Sequence, residues 1–178
     1  MPPALPRPAL VAATLCLAAL ARAPRVEALD GQLLGGARLG GAYASGPAGG
    51  LGGQLELHGA YGLNDAFSLY ATTGYQALGG GAAEGVRHGV HLSAGVAYAF
   101  DYLRVTPVIS LGARGNLTFA PQADWLAPAA EARLGFVWNL QRYRHLELDL
   151  SYAAALTHRD LSGDVVQLTV GVRFLRDL

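Results

Sequence analysis

The stretch 146-LELDLSYAAAL-156 alternates residue by residue. Leu146, Leu148, Leu150, Tyr152, Ala154 and Leu156 fall on one parity, and Glu147, Asp149 and Ser151 on the other. Successive side chains of a β-strand point to opposite faces, so this is a strand with one apolar and one polar face. An apolar face turned into a core makes an ordinary soluble sheet. An apolar face turned outward into lipid makes a membrane barrel.

Seven further segments repeat the pattern. In 31–43, Leu33, Leu39 and Tyr43 oppose Gln32 and Arg38; in 51–61, Leu51, Leu55, Leu57 and Tyr61 oppose Gln54, Glu56 and His58. In 67–77, Phe67, Leu69 and Tyr75 oppose Ser68, Tyr70, Thr72 and Gln76; in 86–100, Val90, Leu92, Val96, Tyr98 and Phe100 oppose Arg87, His91 and Ser93. In 103–117, Leu103, Val105, Ile109 and Leu111 oppose Arg104, Thr106, Ser110 and Arg114; in 126–140, Leu134, Phe136, Trp138 and Leu140 oppose Glu131, Arg133 and Asn139. In 165–174, Val166, Leu168, Val170, Val172 and Phe174 oppose Gln167, Thr169 and Arg173. Short connections near Asn64-Asp65, 101–102 and 141–144 alternate with longer ones. That rhythm predicts an all-β, eight-stranded antiparallel up-and-down barrel, with short turns at one end and longer loops at the other.

The polar faces interleave Gly, Ala, Ser and Thr with one or two charges each. Such a face covers a water-facing surface poorly, but suits a narrow interior where charges pair. Tyr61, Phe67, Tyr98, Phe100, Phe136, Trp138 and Phe174 collect on the apolar parity near the short-turn end, as a girdle at a bilayer interface would. The apolar face is therefore expected to meet lipid, and a soluble lipocalin-like binding barrel is the alternative.

Ahead of the strands, 9-ALVAATLCLAALA-21 follows Arg7 and is too short to span a bilayer. It reads as a signal peptide over residues 1–23. Candidate small-x-small cleavage sites are Ala19-Leu20-Ala21, Ala21-Arg22-Ala23 and Val26-Glu27-Ala28. Leu15 stands before Cys16 where a lipoprotein signal wants a small residue, so no lipid anchor is expected. The exported chain would hold no cysteine, leaving thiol and disulfide chemistry out. The 13 basic residues, all Arg, balance 13 acidic ones, which gives no reason to expect a nucleic-acid partner. The barrel is placed at 31–174, with 175–178 as a tail.

In size and layout the chain resembles the small outer-membrane β-barrels of the OmpA-like and OmpX-like type. Its last strand is similar to that superfamily's assembly signal: Phe174 with Val172, Val170, Leu168 and Val166 at every second position before it. Four residues, LRDL, follow where the superfamily usually ends at the aromatic. The resemblance implies a bacterial outer-membrane location, the lipid bilayer as partner, and insertion by the barrel-assembly machinery through the last strand.

The expected lumen holds Arg38, Arg87, Arg104, Arg114, Arg133 and Arg173 against Glu56, Glu131, Glu147 and Asp149, with His58, His91 and Tyr70. Unpaired charge in a narrow lumen is costly. The pairs Arg38–Glu56, Arg114–Glu131 and Arg173–Glu147 are therefore expected within salt-bridge or one-water reach. This is the lumen of a plugged, monomeric barrel with a structural or surface-interaction role, without cofactor or metal, and not an enzyme. A narrow Arg-lined pore is one alternative. Another is a lipid A-modifying hydrolase: His91-Leu92-Ser93 is similar to the His-x-Ser of outer-membrane lipid A deacylases, in which His activates Ser. Ala94 stands where those enzymes carry Asn, and the parity points both groups into the lumen.

Overall fold

The structure, a computed structural model, describes residues 31–45, 49–79, 85–100, 105–119, 125–141, 144–157 and 163–176. The expected signal peptide, its cleavage region and Arg104 lie outside the described residues. Eight strands follow in order: β1 (Leu33–Ala44), β2 (Gly50–Gly62), β3 (Phe67–Gly79), β4 (Val86–Ala99), β5 (Val105–Phe119), β6 (Trp125–Gln141), β7 (Arg144–Ala155) and β8 (Val165–Arg176). Each pairs antiparallel with its neighbours, and β1 pairs with β8, so the sheet closes.

The register fixes the shape of the barrel. Stepping across paired residues from Leu33 leads through Tyr61, Leu69, Val96, Leu111, Ala132, Tyr152 and Val166, and returns to β1 at Tyr43. The circuit climbs ten residues, from 33 to 43. With ordinary strand spacings, eight strands and this stagger tilt the strands by roughly 40° and set a backbone radius of roughly 8 Å. A tube that narrow is filled by its own side chains.

The apolar parity faces outward. Leu51 is 74% exposed and Leu92 66%, and the other outward leucines are exposed or half-buried, while Glu56, Arg114, Glu131 and Glu147 are almost fully buried. This is the reverse of a lipocalin-like barrel, which keeps its apolar face inside. Closure also leaves no open sheet edge, which hydrocarbon would penalise.

Three details differ from the sequence expectation. β8 runs through Leu175 and Arg176, which pair with Leu34 and Leu33, so the ladder takes in two residues read as tail. β1 and β2 also extend by a residue each into the connection between them, which shortens it to five residues. Finally, Tyr98 is only 8% exposed, although its parity is outward. Phe67 and Phe100 pack edge-on against it, with ring centroids at 5.0 and 4.7 Å.

Local chemistry explains the turn between β2 and β3. Asn64 Oδ1 accepts hydrogen bonds from the amides of Ala66 (3.0 Å) and Phe67 (2.9 Å), while the Leu63 amide donates to the Phe67 carbonyl (2.8 Å). An Asn side chain that caps the backbone two and three residues on reverses the chain in four residues.

Candidate functional site

The charged residues stack in three tiers along the lumen. Arg114 of β5 holds the tier nearest the longer connections. Its Nε donates to Asn116 Oδ1 (2.6 Å), and its terminal nitrogens donate to Gln167 Oε1 (2.8 Å), Glu131 Oε1 (3.2 Å) and Gln76 Oε1 (3.3 Å). Ser151 also donates to Gln167 Oε1 (2.9 Å). One guanidinium thus ties β5 to β3, β6 and β8. Its planar fork of five donors suits that task.

Glu56 is the centre of the middle tier. Its carboxylate accepts from Arg38 (2.9 Å) and from both terminal nitrogens of Arg133 (2.8 and 3.1 Å), and His91 Nε2 lies 3.2 Å from it. Arg133 Nε also donates to Glu131 Oε2 (3.0 Å), and one terminal nitrogen donates to Thr72 and Ser93 (3.1 and 3.3 Å). The Tyr70 ring faces the Arg133 guanidinium at 5.7 Å, a cation–π distance.

In the lowest tier Glu147 accepts from Arg38 Nε (2.7 Å) and pairs with Arg173 (2.8 Å), and His58 Nε2 lies 3.1 Å away. Asp149 is different. Its Oδ1 stands 3.8 Å from Arg38 and 3.7 Å from Arg133, too far for a direct hydrogen bond.

The three expected pairs are formed: Arg38–Glu56 at 2.9 Å, Arg114–Glu131 at 3.2 Å and Arg173–Glu147 at 2.8 Å. Arg87 keeps the inward parity at the mouth near the longer connections, half-buried. Four arginines therefore face four carboxylates across the lumen. Sequence reasoning missed the linking role of Arg133 and the amide partners Gln76, Asn116 and Gln167. The signal for Arg133 was present in the spacing: it follows Glu131 by two residues on the same face.

Sequence reasoning also missed why the lumen can hold such large groups. Inward glycines stand on neighbouring strands beside the bulky residues: Gly36 opposite His58, Gly74 opposite His91, and Gly171 opposite both Arg38 and Glu147. A Cβ on Gly36 would come within 2.7 Å of His58 Nε2, and one on Gly171 within 2.7 Å of Arg38 Cγ. Small and large side chains alternate across the tube, as filling a narrow barrel demands.

Outside, the expected aromatics gather near the short-turn end. Tyr61 and Phe174 are exposed, Phe67, Phe100, Phe136 and Trp138 are half-buried, and Tyr98 is covered by two of them. A second ring unmarked by the sequence reading lies near the other end: Tyr43, Tyr75 and Tyr152, all outward and exposed, with Phe119 outward beyond it at the end of β5. Tyr75 stacks on and hydrogen-bonds His88 there. On β3 the rings are eight residues apart, from Phe67 to Tyr75. At the strand tilt above, that is a vertical distance of roughly 20 Å, close to the height of a barrel's lipid-facing band.

The His-x-Ser pair is inside the lumen. The hydroxyls of Ser93 and Thr72 lie 2.6 Å apart, Arg133 donates to Ser93 at 3.3 Å, and His91 faces Glu56. Among the described residues no group of three His, Cys, Asp or Glu could hold a metal ion.

No protein-family model and no curated protein matches the sequence. Solved structures do match the fold. Neisserial surface protein A aligns with a TM-score of 0.64 at 14% identity, over 83% of this chain and 99% of that one. Ail, the attachment invasion locus protein of Yersinia pestis, gives 0.60 at 11% identity, over 83% and 99%. The outer membrane enzyme PagL gives 0.53 at 14% identity, over 77% and 97%. At such identities the likeness carries the fold and no activity. With an apolar exterior between two aromatic rings and a charge-paired interior, the chain has the fold of the small eight-stranded outer-membrane β-barrels.

Proposed function

We propose that this chain is a monomeric barrel of a bacterial outer membrane. Its lumen is plugged, and its role is structural or lies in surface interaction. The observation that supports this reading is the tiered network. Glu56 alone gathers β1, β4 and β6 onto β2 through Arg38, His91 and Arg133, which leaves the middle of the tube occupied. Insertion through the last strand by the barrel-assembly machinery fits the outward Val166, Leu168, Val170, Val172 and Phe174.

The tests are direct. Membrane fractionation should find the protein in the outer membrane, and unheated samples should migrate differently from boiled ones. Recovery from the periplasm without detergent would support the lipocalin-like alternative instead. Planar bilayers should show no conductance from the wild-type protein; steady single-channel steps would favour the narrow pore. We also propose a non-enzymatic role. The Ser93 hydroxyl is engaged by Thr72 and Arg133 inside the lumen, away from a lipid substrate. Lipid A mass spectra of cells expressing the wild type or Ser93→Ala should be identical. A deacylated species lost in the variant would overturn that part.

A further inference from the structure

The three tiers do not fill the lumen evenly. A cavity of about 50 Å³ lies below the middle tier, on the short-turn side. Its closed end carries Arg133, Tyr70 and Asp149, and its walls mix small or apolar residues such as Ser68, Ser110 and Val137 with Glu147 and Arg173. A cavity needs about 10–15 Å³ for each water, so roughly four waters fit.

Asp149 shows what the space is for. Its side chain retains 10% exposure, against 0–2% for Glu56, Glu131 and Glu147. Its oxygen stands 3.7 and 3.8 Å from two arginines, beyond direct hydrogen-bond reach, which leaves it free to accept from water in the adjoining cavity. Arg173, at the same end, is 16% exposed. Above the cavity the picture reverses. The side chains of Arg114 and Glu131 have no exposure, and Ser93 and Ser151 are 1% and 2% exposed.

We infer that the lumen is a one-ended vestibule: water and small neutral hydrogen-bonding solutes enter from the short-turn side as far as Asp149 and go no further. Waters there hydrogen-bond the Asp149 carboxylate beside Arg38 and Arg133, to which it makes no direct hydrogen bond. Glu147, Arg173 and His58 line the same cavity on its short-turn side, beside those small and apolar walls. The Arg133 and Arg114 tiers close the far end. The inference extends the plugged reading by giving the plug a wet side and a dry side.

Four isosteric substitutions test it in a Cys16→Ala background. Ser68→Cys and Ser110→Cys place a thiol on the cavity wall; Ser93→Cys and Ser151→Cys place one in the closed tiers. The folded protein in detergent, its fold verified by heat-dependent migration, is treated with a small methanethiosulfonate reagent. Cavity thiols should react at least about tenfold faster than closed-tier thiols, which are reached only through local opening. Equal fast labelling at all four sites would mean a continuous pore. Equal slow labelling at all four would mean a plug without a vestibule. Either result overturns the inference. Only the first also contradicts the plugged reading, and conductance checks that separately.

Discussion

Glu56 holds the middle of the lumen together. Its partners Arg38, Arg133 and His91 sit on three different strands, and its own exposure is 1%. Removing one side of a buried ion pair leaves an uncompensated charge, which typically costs about 3–5 kcal/mol. Glu56→Ala is therefore expected to lower stability by an amount in that range, read as a shifted urea midpoint in lipid vesicles. Arg38 retains Glu147 and Arg133 retains Glu131, so the lower end applies. An unchanged midpoint would mean that the network contributes nothing to stability. Gly74 is the complementary case. A Cβ there would press on the His91 ring and stand 2.7 Å from the Leu55 carbonyl, so Gly74→Ala must displace backbone. Overpacking of this kind costs about 1–3 kcal/mol. The same midpoint measurement checks it, and Gly115→Ala, whose nearest neighbour would be 3.7 Å away, is the control expected to be near neutral.

Among the strands, β4 offers the cleanest test of which face meets lipid. Val96 is outward, 43% exposed, and lies toward the middle of the band between the ring marked by Tyr98 and the ring marked by Tyr75, which pairs with Val90. Val86 is also outward, but starts the strand. An arginine on the lipid face costs about 2–4 kcal/mol at the bilayer midplane and only about 0–1 near an interface. Val96→Arg should therefore destabilise the barrel in vesicles well beyond Val86→Arg. Equal effects would sink the lipid-facing assignment of this strand. The glycines of β1 belong to the same argument. A strand written LLGGARLGGAYA is poor in intrinsic strand preference, yet it closes the barrel between β2 and β8. Its inward glycines, Gly36 and Gly40, let neighbouring backbone and side chains approach where Arg38 already fills the lumen.

For the barrel as one body, closure and stagger set the observable behaviour. Every strand has two hydrogen-bonded neighbours, so there is no edge from which unfolding can begin cheaply. Backbone amides near the middle of β1 and β8 should exchange as slowly as those of β4 and β5. Fast exchange confined to the β1–β8 ladder would mean that the seam opens on its own. The strand parities, the inward charges and the short-turn aromatic ring were legible from residue order because a period of two is local. Leu146 through Leu156 reads as one apolar face whatever surrounds it. Local periodicity also implied the barrel, since an apolar face with so sparse a polar reverse has few other ways to be covered.

What residue order could not contain is anything that depends on stagger. Arg114 meets Gln76 and Gln167 only because a ten-residue climb brings particular heights on β3, β5 and β8 level with one another. The second aromatic ring was hidden for the same reason. Tyr43, Tyr75 and Tyr152 sit at different places in their strands and share a height only once the strands tilt. Asp149 looked like one more inward carboxylate. Its separation from Arg38 and Arg133, and the cavity beneath it, follow from how inward side chains of several strands pack against one another. Alternation is decided between a residue and its next neighbour along the chain. Pairing across a tube is decided by closure, which is a property of all eight strands together.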